Sequence, residues 1–365
     1  MSDVLRPQLK WIEGRCYRVN DPAVDTTTFH EHDLYENDLT YNDMIDEGDE
    51  DDFEVLKVDN SRYTTKFHVS KHYFGSIIGK KGAIRMRLER DTKTNIKIPR
   101  PGQDGDVVIL GPTEQSVKTA RRRINMIVVS TRMKQKFTHF ISIPMNDPDV
   151  QKRFEEFRER VLQECPSRGL ERSLFILPSK LHLTVGVMCL MDNEERLFAS
   201  KLLTEAKEKI IMPILQGHLP LKIRLKGLSY MNDDPSQIDV LYGLVQEEGS
   251  SQGVIQQIAD GLVQHFYKAG FMKDSEYERG NVKLHVTLIN TRYREDPDDT
   301  NLENEETKSQ NTKKRRETFD GRDVLQKFAD YDFGTVEFTS VHLSQPRVAL
   351  GADGYYPPTC IVSWQ

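Results

Sequence analysis

Two short stretches of the chain repeat one pattern: Lys180-Leu181-His182-Leu183-Thr184-Val185 and Lys283-Leu284-His285-Val286-Thr287-Leu288. In a strand, residues two apart share a face, so His182 projects with Thr184 and His285 with Thr287. Leu183, Val185, Val286 and Leu288 then turn to the opposite side. If the two strands lie side by side, two imidazoles and two hydroxyls line one cleft. Such a set suits a phosphodiester. One ring removes a proton from an attacking hydroxyl, the other protonates the leaving oxygen, and both threonine hydroxyls hydrogen-bond the phosphoryl oxygens. Imidazole titrates near neutral pH, so an acid and a base can coexist. A single His-x-Thr is ordinarily a half-buried strand residue without chemistry. Its recurrence, each time after Lys-Leu, in a chain with ten histidines singles out this pair. A metal is the competing use of two histidines, but neither has a carboxylate or cysteine at ligand spacing, so metal-free acid–base chemistry is expected and no metal or cofactor is called for. Lys180 and Lys283 have the parity to lean toward the cleft but read as solvated strand ends. His139, on an earlier strand, is a further candidate to reach it.

A second constellation is Ser76-Ile77-Ile78-Gly79-Lys80-Lys81-Gly82-Ala83-Ile84. It places a GxxG turn between two short helices. Gly79 and Gly82 let the backbone approach a sugar-phosphate chain closely, helix termini offer free N–H groups, and Lys80 and Lys81 add positive charge. Ile77 and Ile78 belong to a core or a groove floor.

The elements around these groups follow from periodicity. The first module reads strand (63–69), helix (73–78), turn, helix (83–92), strand (95–98), strand (106–110) and helix, the last opened by Thr113 as N-cap. That helix, traced to residue 129, turns Val117, Ile124 and Ile127 inward and Arg121, Arg122 and Arg123 outward. From about residue 136 strands mix with amphipathic helices. Strands are expected at 138–143, 181–188, 219–228, 238–244, 282–289, 335–343 and 359–364, and helices at 150–162, 193–214 and 253–268. The fold class is α+β.

Charge divides the chain more sharply than its formal net of -6 shows. Between Glu31 and Glu54 there are twelve acids and no Lys or Arg, whereas from Ser61 to Ser130 fifteen Lys plus Arg stand against five Asp plus Glu. Residues 1–60 therefore read as an acidic, mostly disordered arm, residues 61–131 as a basic module, and 136–365 as a second domain. The arm either keeps the chain soluble or competes with RNA for the basic module. Val4 to Ile12, with Trp11, is suited to dock on a partner or on the body. A polar insertion at about 294–318 carries Lys313-Lys314-Arg315-Arg316, which serves either as a nuclear address or as a phosphate contact. Cys16, Cys165, Cys189 and Cys360 lie far apart, so neither a disulfide framework nor a zinc site is indicated and a reducing compartment fits. Secretion and membrane spanning are not expected.

Residues 62–130, with this element order and a GxxG loop in a basic setting, resemble a type I KH domain. That resemblance implies a groove for about four unpaired nucleotides of RNA, or of single-stranded DNA. Residues from about 136 onward, with both HxTΦ motifs intact, resemble the two-histidine (2H, LigT-like) phosphoesterase family. It implies a bilobal fold with one motif per lobe, His182 and His285 as acid and base, and Thr184 and Thr287 on the phosphate. The two domains together, with Val4 to Leu9, Ile98 to Gly105 and Tyr230 to Pro235, resemble a family of subunits of a nuclear transcription-coactivator and alkylation-repair complex. That likeness implies the other subunits, a helicase among them, as partners. A different class of function, a nucleic-acid scaffold that recognises a phosphate end without turnover, stays open beside the enzyme.

If Gly79, Lys80, Lys81, Gly82 and Ile78 form a nucleic-acid site, Lys80→Asp with Lys81→Asp weakens RNA binding in a titration, and an unchanged affinity refutes the assignment.

Overall fold

The structure, a computed structural model, describes residues 9–12, 15–18, 53–59, 62–100, 105–249, 253–272, 280–294 and 317–364. Most of the acidic arm and most of the 294–318 insertion, with its Lys-Lys-Arg-Arg run, lie outside these residues. The chain divides into two compact units, Met1–Glu54 and Val55–Gln365. In the first, the backbone of β1 (Leu9–Ile12) pairs antiparallel with β2 (Arg15–Arg18).

The second unit opens with β3 (Leu56–Asp59), β4 (Arg62–Phe67), α1 (Phe74–Ile78), α2 (Ala83–Thr92), β5 (Asn95–Lys97), β6 (Val107–Gly111) and α3 (Glu114–Lys134). The sheet order is β3-β4-β6-β5, all antiparallel. Residues 56–59, which charge alone assigns to the arm, are an edge strand: all four side chains are exposed, and the backbone ladder holds them. Thr113 caps α3, its hydroxyl accepting from Ser116 N at 3.1 Å, an arrangement worth about 1 kcal/mol. Val117, Ala120, Ile124 and Val128 are buried on one stripe. The three arginines are not simply solvated. Arg121 lies 4.3 Å over the Phe67 ring and donates to Thr65 Oγ1 at 2.8 Å, and Arg123 approaches Asp91 at 3.6 Å.

The larger sheet has the order β12-β9-β10-β11-β8-β7-β13-β14 and is antiparallel throughout. Its strands are β7 (His139–Pro144), β8 (His182–Met188), β9 (Lys222–Tyr230), β10 (Val240–Glu247), β11 (His285–Asn290), β12 (Asp332–Glu337), β13 (Ser340–Ser344) and β14 (Pro358–Ser363). Helices α4 (Pro148–Glu164), α5 (Asn193–Ala206, continued by a π turn and by α6, Met212–Leu215), α7 (Val254–Lys268) and α8 (Arg322–Phe328) pack on it. Each expected helix is present, and α8 is added.

The single strand expected at 335–343 is instead two. β12 pairs with β9 and β13 with β7, and only residues 338 and 339 separate them. Apolar residues alternate on either side, Val336 and Phe338 before and Val341 and Leu343 after, but the polar pair Thr339-Ser340 shifts their phase by one residue, with no Gly or Pro beside it. The break comes from packing: Phe338 is 1% exposed against Trp364, whose Nε1 donates to the Phe338 carbonyl at 3.0 Å. Two residues span about 7 Å at most. Strands near opposite ends of the sheet order therefore meet here, and the sheet curls back toward itself. Among the described residues no helix is long and apolar enough to cross a membrane.

The small and large sheets are joined by the end of α3. Arg132, 7% exposed, donates to Glu195 Oε1 and to Gly270 O, both at 2.6 Å, and lies 4.6 Å over Phe271 and 5.5 Å over Tyr73. Glu195 Oε2 accepts from Met191 N at 2.7 Å, and His68 Nε2 meets Asp192 Oδ2 at 2.9 Å. Burying a guanidinium costs several kcal/mol unless an opposite charge answers it, so removing one partner strands the other charge. Arg132→Ala is expected to lower unfolding free energy by about 3–5 kcal/mol in urea titrations, well beyond the effect of truncating exposed Arg160.

Candidate functional site

β8 and β11 are neighbours, with Leu183 opposite Val286. Continuing that antiparallel register sets His182 across from Thr287 and His285 across from Thr184. Leu183, Val286 and Leu288 are fully buried and Val185 nearly so, on the helix-covered face. The two histidines and two threonines, all half-buried, share the other. The structure thus brings together the four cleft residues that spacing selected. His182 Nδ1 lies 2.7 Å from Lys180 O and His285 Nδ1 2.6 Å from Lys283 O. A carbonyl only accepts, so each Nδ1 carries the proton. Each Nε2 is then the nitrogen whose lone pair remains for chemistry.

The surroundings are aromatic. Phe140 (5.1 Å) and Tyr356 (5.3 Å, edge-on) flank the His182 ring, and Tyr242 (5.3 Å) flanks that of His285. Lys180 and Lys283, read from sequence as solvated strand ends, place their ammonium groups over Tyr356 at 5.3 Å and Tyr242 at 4.7 Å; Lys283 is exposed as expected, whereas Lys180 is half-buried. Ser142, opposite Thr184, accepts from the Tyr355 hydroxyl at 3.1 Å. None of the aromatic neighbours was visible in the sequence, because each arrives through strand pairing or from the loop before β14. His139 does not reach the cleft. It neighbours Phe140 on the opposite face, buried, with Nδ1 at 2.8 Å from Thr138 Oγ1.

Burial holds His182 down to about 4, against a weaker upward pull from the Lys180 carbonyl. His285 is also held below the ordinary histidine range, by burial first and by the Lys283 charge, although the Lys283 carbonyl opposes the shift. Both rings are therefore neutral at pH 7 in the free protein. Burial likewise lowers Lys180.

The second constellation lies in the smaller sheet's module. Gly79 has φ 70° and Gly82 φ 82°, with Lys81 at φ 54° between them. A Cβ on Gly79 would come 2.6 Å from Ile84 Cγ1, so both backbone conformation and space require glycine there. Lys80 and Lys81 are exposed and Gly82 N-caps α2, so the helix N-terminus opens beside the two lysines. Ile77 is fully buried in the core, whereas Ile78 is half-exposed at its edge.

Fold and site together define a KH domain followed by a two-histidine phosphoesterase-like domain. Residues 64–126 match the KH domain family and residues 137–363 the AKAP7 2'5' RNA ligase-like domain family. Over 359 residues the chain is 36% identical to Activating signal cointegrator 1 complex subunit 1 of Mus musculus, covering 97% of both chains. Among solved structures, the solution structure of the 1st KH type I domain from human Vigilin matches at 23% identity and TM-score 0.21, over 24% of this chain and 94% of that one. The chain belongs to the family of activating signal cointegrator 1 complex subunit 1.

The depressed His182 has a consequence for stability. The unfolded ring, with an ordinary value of 6.5, takes a proton first as pH falls, whereas the folded ring resists until about 4. Stability from this group is complete above pH 6.5 and drains away toward pH 4. His182→Gln should remove that slope. The gap between wild type and variant in urea unfolding shifts against the wild type by about 1–2 kcal/mol from pH 7 to pH 5, and parallel pH profiles contradict the burial argument.

Proposed function

We propose that this chain is an RNA-binding, metal-independent phosphodiesterase in which the GxxG loop, Gly79 to Gly82 with Ile78 at its edge, holds a single strand. His182 and His285 act as acid and base, and Thr184 and Thr287 hydrogen-bond the phosphoryl oxygens. The matched pair of Nδ1-to-carbonyl bonds carries this reading, because it fixes both tautomers and presents two Nε2 atoms to one cleft. With RNA, one Nε2 takes the proton of the ribose 2'-hydroxyl as its oxygen attacks phosphorus. The other, as imidazolium, gives a proton to the departing 5'-oxygen. A 2',3'-cyclic phosphate and a 5'-hydroxyl end result. With water as nucleophile, the same groups open a cyclic nucleotide or a 2',5' linkage.

The identity to the mouse subunit over nearly the whole chain supports a second part of the reading. We infer that the chain serves in the nucleus as a subunit of an activating signal cointegrator complex. It acts there in transcription and alkylation repair, beside the other subunits and their helicase.

The test is incubation of purified protein with short single-stranded RNAs in EDTA, beside a His182→Ala, His285→Ala variant, with the product ends identified. Cleavage by the wild type that drops on the order of 100-fold or more in the variant supports the enzyme. No cleavage, with equal RNA binding by both proteins, supports instead a scaffold that recognises a phosphate end.

A further inference from the structure

Acid–base chemistry leaves Lys180 and Lys283 without a task. Each stands two residues ahead of a histidine and gives its carbonyl to that ring's Nδ1. Each also stretches its ammonium over a tyrosine that meets the same imidazole at a steep angle, 84° for Tyr356 with His182 and 70° for Tyr242 with His285. The lobes thus repeat a Lys–Tyr–His set. Yet one tyrosine comes from the loop before β14 and the other from the middle of β10, so chain repetition alone does not account for it.

Direction adds the second observation. β8 and β11 are antiparallel, so the residue two ahead of His182 and the residue two ahead of His285 lie beyond opposite ends of the paired segment. The two cations bracket the two imidazoles. A lysine resting on a tyrosine face at an accessible site is held weakly, and Lys283 also meets the Met231 thioether at 3.7 Å and the Tyr242 hydroxyl. A charge-assisted bond to phosphate is the stronger contact. Each ammonium is therefore free to leave its ring for an anion, and for Lys180 that also relieves desolvation.

We propose that Lys180 and Lys283 anchor the phosphates on the two sides of the scissile linkage, making the cleft a site for internal linkages of a linear oligonucleotide rather than for a cyclic or terminal mononucleotide. This rests on the reading of the cleft as a phosphodiester site. A mononucleotide brings one phosphate to the histidines and leaves both lysines on their tyrosines. Only a strand with three consecutive phosphates meets both histidines and both lysines at once.

Binding without turnover tests this. A 2'-O-methyl RNA tetramer and adenosine 3'-monophosphate are titrated into full-length protein carrying Lys80→Asp and Lys81→Asp, which silences the GxxG loop. Added to that background, Lys180→Gln and Lys283→Gln are each expected to weaken the tetramer roughly fivefold near 0.1 M salt, and to lower the slope of log affinity against log salt by about 0.7. The mononucleotide affinity stays unchanged, and Lys180→Arg keeps the slope. Equal losses for both ligands, an unchanged slope, or no tetramer binding at all in the silenced protein overturns the proposal. Because the tetramer cannot be cleaved through its 2'-position, a cleft that fails to turn over RNA still gives this result, so the two readings fail separately.

Discussion

Leu183 and Val286 meet at the seam between the two halves of the eight-stranded sheet, and their burial decides where the histidines point. Burying each is worth about 1.5–3 kcal/mol. A slip of one residue in either strand would turn its imidazole and hydroxyl into the core and its aliphatic partners into the cleft. The seam itself is a short ladder, so the register is enforced from outside it. β8 is held by six pairs to β7 and β11 by five to β10, and Ile176 N reaches across to Leu288 O at 3.0 Å. The cleft is thus a consequence of two well-made lobes meeting along one line.

A second constraint sits at the end of α3. The apolar stripe that seats this helix in its own module ends at Val128, yet the helix continues to Lys134 and delivers Arg132 to Glu195 and Gly270. Those last turns are not explained by the module they belong to. They are explained by the guanidinium, whose hydrogen bonds to Glu195 and Gly270 reach the larger domain. Glu195 in turn is committed to Met191 N, so the pair fixes the segment leading out of β8 as well. GxxG loop and cleft are therefore carried on one body.

What the sequence showed follows from which forces are local. The strand parity of the HxT motifs, the limits of α2 and the Thr113 cap depend on residues a few places apart, and they are legible. The break after Phe338 was missed: its one local sign is the polar pair Thr339-Ser340, and the Trp364 contact that seats it comes from far along the chain. Lys180, half-buried where a solvated strand end was expected, was misjudged because its surroundings come from elsewhere in the chain, whereas Lys283 is exposed as expected. A lysine at a strand end looks solvated until a tyrosine from elsewhere supplies a face for it. Arg121 looked solvated beside Arg122 and Arg123 until Phe67 took its plane.

Acid–base work needs one imidazole and one imidazolium, but burial keeps both rings neutral in the free protein. Two adjacent rings also resist a second proton, because two imidazolium charges would repel each other. Something must bring a proton in. A phosphodiester anion settled between the rings offers the compensating charge, raising the affinity of one Nε2 for a proton at the moment a donor is required. On this view the apolar shell of Phe140, Tyr356 and Tyr242 does not merely shape the site. In the proposed reaction it would leave the acid unformed until an anion arrives, and the hydroxyls of Thr184 and Thr287 on the same face would direct that anion to the nitrogens that the carbonyls of Lys180 and Lys283 leave available.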